Sequence, residues 1–138
     1  MKELFNQQAQ WQISSIKYNT SNNKGDEETI SVNVRIVDSI QITRRNLQDV
    51  TFVITRELKL DPVEVFEMVV DISVMLNFND GIQTNEMTDE EIIHAFQNEC
   101  VGMINTLLAR TSLIISEITN ISGPQGPIVT PPIFQEDK

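Results

Sequence analysis

The sequence predicts an α+β fold, a four-stranded antiparallel sheet with one long helix packed on it. Two observations carry this. From Trp11 to Phe78 apolar and polar residues alternate, so each strand has one face to bury. From Thr88 onward the apolar spacing changes to three and four, the period of a helix lying on a surface. A chain of 138 residues is long enough for one domain with a real core. It divides into a sheet over 11–80, a helix over 88–122 and a proline-rich tail over 123–138.

The first strand is read over 11–18, where the alternation breaks at Ser14-Ser15, the mark of a bulge. A polar loop, Asn19 to Glu28, follows. Ile30, Val32, Val34 and Ile36 then alternate with polar residues, and Ile40 and Ile42 keep the same parity. Phe52, Ile54, Leu58 and Leu60 mark a third strand, with Arg56 the one charge on that face, and Asp61-Pro62 ends it. In the fourth, Phe66, Met68, Val70, Ile72, Val74, Leu76 and Phe78 all fall on even positions, and Asn79-Asp80-Gly81 closes it. Short connections predict a meander of consecutive neighbours.

Thr88-Asp89-Glu90-Glu91 is a capping-box signature, with Thr88 as N-cap and Glu91 three residues later. The helix it opens runs to Ser122, where Gly123-Pro124 stops it, a rod of about 50 Å at the usual helical rise. Ile93, Phe96, Cys100, Ile104, Leu107, Ile115 and Ile118 form the stripe expected on the sheet. On the opposite side Ala95, Asn98, Gly102, Asn105, Ala109, Ser112, Ser116 and Thr119 repeat without one charge. Small uncharged residues on such a seam let a second helix approach closely. We therefore expect an oligomer interface there, a plain polar surface being the alternative.

Composition limits what the protein does. Its net charge of −10 repels phosphate backbones, so nucleic acid is not an expected partner. Arg44-Arg45, the only adjacent basic pair, reads as a solvated turn. One cysteine and one histidine allow neither a disulfide within the chain nor a Cys/His zinc site. His94 and Cys100 point about 120° apart on a helix and cannot act as a nucleophile–base pair within one chain. Glu67 and Asp71 share a strand face, which solvent exposure explains more simply than acid–base work. No phosphate loop, nucleophile elbow or metal cluster appears, so neither catalysis nor a cofactor is expected. No apolar run reaches the roughly 18 residues of a membrane span, and the N-terminus has no apolar signal core. A cytoplasmic location without membrane insertion is the expectation.

Several stretches, taken in order, resemble the SecB family of protein-export chaperones. They are Asp49-Val50-Thr51-Phe52-Val53-Ile54, the strand end at Asp80-Gly81, the helix segment Ile104 to Ile121, and Ile128-Val129-Thr130-Pro131-Pro132-Ile133-Phe134. The likeness spans about Trp11 to Phe134. It implies a homo-oligomeric, dimeric or tetrameric chaperone that holds unfolded or partly folded protein clients on an apolar groove. The family's second helix and metal-binding tail have no counterpart after Phe134, which fits a shortened relative such as the chaperones of toxin–antitoxin systems. The alternative is a non-catalytic adaptor or regulator of the same fold that binds one specific protein, for example an antitoxin. Client binding is expected at Ile128, Val129, Ile133 and Phe134, with Tyr18 as a wall. The competing reading is that the tail packs on its own sheet.

Overall fold

Period-two alternation becomes four long strands: β1 (Gln10–Thr20), β2 (Asn33–Arg45), β3 (Asp49–Asp61) and β4 (Phe66–Asn77). The computed structural model describes residues 3–6, 8–20, 33–61, 66–122 and 128–136. The expected loop over 21–28, the start of β2 at Ile30, the Pro62 turn and the Gly123-Pro124 stop lie outside these residues.

All pairings are antiparallel, in the order β1-β4-β3-β2. The β2-β3-β4 run is the expected meander, but β1 departs from it and pairs with β4 instead of β2. Strands lie about 4.8 Å apart, so the chain between Thr20 and Asn33 is long enough to pass from one sheet edge to the other. On the helix-bearing face β4 buries Met68, Val70, Ile72, Val74, Leu76 and Phe78, while β3 buries Val50, Phe52, Ile54 and Leu58. Of the shared face expected along β4, all described side chains conform; that of Phe66 is not among them.

Two bulges keep side chains on this face. One lies between Ile13 and Ser15, as the sequence predicts. It absorbs the extra Ser14, so Trp11 and Ile13 before it, and Ile16 and Tyr18 after it, pair with Val74, Ile72, Val70 and Met68 on one side of the sheet. The other, between Ile42 and Arg44, sets Arg45 opposite buried Val50. Arg45 is therefore not in a solvated turn. Its guanidinium bonds Asp89 at 2.6 Å and the carbonyls of Thr84 and Met87, tying the end of β2 to the approach to the helix.

Thr88 caps the helix as expected: its hydroxyl accepts from the Glu91 N–H, and the Glu91 carboxylate accepts from the Thr88 N–H, both at 3.1 Å. The single predicted helix is two, α1 (Asp89–Glu99) and α2 (Val101–Ser122), interrupted at Cys100, where φ is −113° and ψ 27°. Hydrogen bonds from Cys100 N to Phe96 O and from Ile104 N to Cys100 O bridge the interruption, which is one residue long. Phe96, Cys100, Ile104, Leu107 and Ile115 are buried as predicted. Ile92 and Leu108 join them, while Ile93 and Ile118 are only half-buried.

The sequence gives no sign that Leu4 and Phe5 are core residues. Phe5 bridges to Phe78 and sits edge-on to Phe52 and Phe96. The Glu99 carboxylate holds the segment by accepting the N–H groups of Leu4 at 2.8 Å and Phe5 at 3.2 Å.

Candidate functional site

Arg56 has the parity of Phe52 and Ile54, so β3 points it into the helix-bearing face, where it is 1% exposed. Burying a guanidinium is costly unless every N–H finds a partner. The register supplies one: Asp38 lies directly opposite on β2, itself buried. The fork is bidentate, with Arg56 Nε to Asp38 Oδ1 and Nη2 to Oδ2 both at 2.8 Å. The remaining N–H groups reach the tail and α2. Nη1 bonds Pro131 O at 2.6 Å, Ser112 Oγ at 3.1 Å and Thr130 Oγ1 at 3.2 Å, and Nη2 bonds Ile133 O at 2.9 Å.

Further bonds hold the tail along its path. Ile128 N donates to Thr119 Oγ1 at 2.8 Å near the end of α2. Thr130 Oγ1 donates to Ser112 Oγ at 2.7 Å. At the free edge of the sheet Asp38 N donates to Gln135 O, and Gln135 N donates to Asp38 Oδ2, both at 2.8 Å. The tail is thus one more strip of the helix-bearing layer, laid between α2 and β2.

This placement divides the residues expected to bind clients. Ile128 and Phe134 pack against the core, whereas Val129 is 83% and Ile133 53% exposed. Tyr18 does not wall them. It lies on β1, three strands across the sheet from the β2 edge that receives Gln135. Burial pushes the Tyr18 phenol above its ordinary pKa.

The expected helix seam is also divided. Thr119 is fully buried and Ser112 half-buried, because the chain's own tail bonds both. Thr119 is therefore not a surface for another subunit. The lack of charge at these two positions reflects the tail, a cause the periodicity alone does not reveal. Asn98 and Gly102 are exposed, and Ala95, Asn105, Ala109 and Ser116 are half-buried. Val101 and Leu113 add exposed apolar surface to α2. By length and composition α2 is apolar enough to cross a membrane, a property the sequence reading did not anticipate; here Ile104, Leu107, Leu108 and Ile115 are buried in the core.

The opposite flank carries a feature the sequence reading passed over. Trp11, Ile13 and Ile16 lie on the helix-bearing face of β1 but are 41%, 36% and 42% exposed, because the helix layer does not cover this edge. Arg110 of α2 sits over the Trp11 ring, 5.2 Å from its centroid. Together these residues make an uncovered apolar strip, and its sequence signal was apolar parity on an edge strand. A cleft of about 800 Å³ opens on the β2 side, lined by Ile36, His94, Asn98, Val101, Asn105 and Phe134 among others. His94 is exposed, with its Nε2 3.0 Å from Asn98 Nδ2. Among the described residues no group of histidine, cysteine and carboxylate side chains could hold a metal ion.

No protein-family model and no curated protein matches the sequence. Solved structures do match. The Mycobacterium tuberculosis Rv1957 SecB-like chaperone, in complex with a ChAD peptide from the Rv1956 HigA1 antitoxin, superposes with a TM-score of 0.55 at 11% identity, over 88% of this chain and 85% of that one. A protein of unknown function from Streptococcus agalactiae has a TM-score of 0.42 at 16% identity, over 89% of this chain and 96% of that one. The α+β fold described above, a four-stranded antiparallel sheet bearing two helices, is SecB-like.

Proposed function

We propose that this protein is a non-catalytic, cytoplasmic chaperone that holds unfolded or partly folded protein segments on apolar surface. One observation carries the reading: Trp11, Ile13 and Ile16 remain exposed on the face whose other apolar residues are covered. Grouped apolar surface of this kind marks a site of interaction with other proteins. Val129 and Ile133 add separate exposed apolar surface on the tail flank, and the acidic surface keeps the protein soluble while it is loaded. The remaining seam, Ala95, Asn98, Gly102, Asn105, Ala109 and Ser116, meets a second copy in a dimer or tetramer.

Trp11 is the only tryptophan, so its emission reports the strip alone. Client addition should shift that emission to the blue, and the protein should suppress aggregation of several unrelated unfolded clients. Ile13→Ser with Ile16→Ser should abolish both effects. Unchanged holding by a folded double variant rejects the strip.

The narrower reading, an adaptor for one specific partner, is favoured by the neighbour's complex with an antitoxin peptide. Co-purification of one stoichiometric protein, with no holding of unrelated clients, decides for it.

A further inference from the structure

The geometry points to the Asp38–Arg56 seat as a second peptide-binding site, one that the chain's own tail occupies and that a proline-containing segment of a partner protein can take over. The inference rests on the peptide-binding reading above and names a place and a ligand chemistry for it.

The seat holds the tail through its main chain and the Thr130 hydroxyl, while the Ile128 and Phe134 side chains pack against the core on either side. Arg56 binds the carbonyls of Pro131 and Ile133, two residues apart, and Asp38 binds both the N–H and the carbonyl of Gln135. Among the described residues, Thr130 is the tail side chain that Arg56 bonds in this network. The tail bends at Pro132 and Ile133, so a rival must present its carbonyls around a similar bend. Meanwhile Val129, Pro132 and Ile133 face solvent, so those side chains do little to keep the tail in place.

The chemistry favours proline in the occupant. The guanidinium fills its surroundings with donors, and a backbone N–H at the Pro131 position would compete with them for the hydroxyl and carbonyl acceptors there. Pro131 and Pro132 present none. A hydroxyl just before them completes the pattern, because Thr130 Oγ1 both accepts from Arg56 and donates to Ser112. The ligand class is thus a proline-bent segment with serine or threonine just before the prolines. The two Asp38–Arg56 bonds do not involve the tail, so exchange trades one peptide for another without having to break the ion pair. The tethered tail competes at a high effective concentration, so a rival gains most when the tail's hold is weakened.

The test uses the full chain and a fluorescein-labelled synthetic peptide with the sequence of residues 128–136, read by fluorescence polarisation. Gln135→Pro removes the N–H given to Asp38, and Thr130→Val removes the hydroxyl. Each should bind the peptide at least ten-fold tighter than the unmodified chain. Adding Arg56→Lys to Gln135→Pro, with the circular dichroism unchanged, should cancel the gain. In the unmodified chain the Gln135 amide should exchange hydrogen through an opening that leaves the β3 and β4 amides protected. No gain in either variant, a failure of both to fold, or exchange of Gln135 only by global unfolding overturns the proposal. If the variants fail to take the peptide yet still hold unfolded clients, only the seat is rejected. If client holding is also absent, the peptide-binding reading falls with it.

Discussion

Asp38 and Arg56 face each other across the β2–β3 ladder, joined by two parallel hydrogen bonds of 2.8 Å and almost wholly shielded from water. A buried pair of this kind contributes little against an apolar replacement, yet it is costly to break, because the surviving charge stays buried. Asp38→Asn should therefore destabilise the fold by about 3–5 kcal/mol, read by urea denaturation. The double change Asp38→Leu with Arg56→Met should recover most of that loss. Equal destabilisation by the single and double variants would show that the tail contacts, and not the charge pair, dominate.

Gly102 tests the proposed helix contact without disturbing the fold. A Cβ built there meets nothing within 4 Å, and arginine is a better helix former than glycine by up to about 1 kcal/mol. Gly102→Arg should leave the melting temperature unchanged or raised while lowering the mass seen by light scattering. A monomeric unmodified protein ends the seam proposal.

Thr88 should act through the helix start alone. Its hydroxyl accepts the Glu91 N–H, and Thr88→Ala leaves that group without its cap at a cost of about 1 kcal/mol. Thr88→Ser should restore nearly all of it in thermal unfolding.

Tyr18 is the only tyrosine, so phenolate absorbance follows it alone. Burial disfavours its charged form and raises its pKa in the folded protein. The absorbance should titrate above the ordinary value near 10 while the protein stays folded. By linkage the folded protein holds the phenol's proton more tightly than the unfolded chain does. The resulting stability is fully present below pH about 10 and is lost as pH rises from there through the folded pKa. Titration at or below the ordinary value contradicts the burial.

The sheet was legible because parity is a local property: the even positions of β3 and β4, the bulge at Ser14-Ser15 and the Thr88 cap are all written in consecutive residues. The functional surface was harder to read because it depends on pairing. Asp38 interrupts Ile36 and Ile40 just as Arg56 interrupts Ile54 and Leu58, and two opposite charges of core parity were the available signal for a buried pair. Only the β2–β3 register shows that they meet. The place of β1 beside β4 and the core role of Leu4 and Phe5 have no periodic signature. Thr119 looked like seam because hydroxyl residues on a helix read alike whether they face a partner or their own tail.

The closure of the N-terminal segment has a consequence for synthesis. Phe5 bridges to Phe78, the Leu4 N–H binds Glu99, and β1 pairs with β4, so this segment is made well before its partners. The β2-β3-β4 meander can assemble as the chain emerges, because its contacts are between neighbours. The segment bearing Trp11, Ile13 and Ile16 must wait until β4 and α1 have been translated, and loop closure over that span slows its docking. A protein proposed to hold unfinished chains thus carries its own apolar strand unpaired for part of its synthesis.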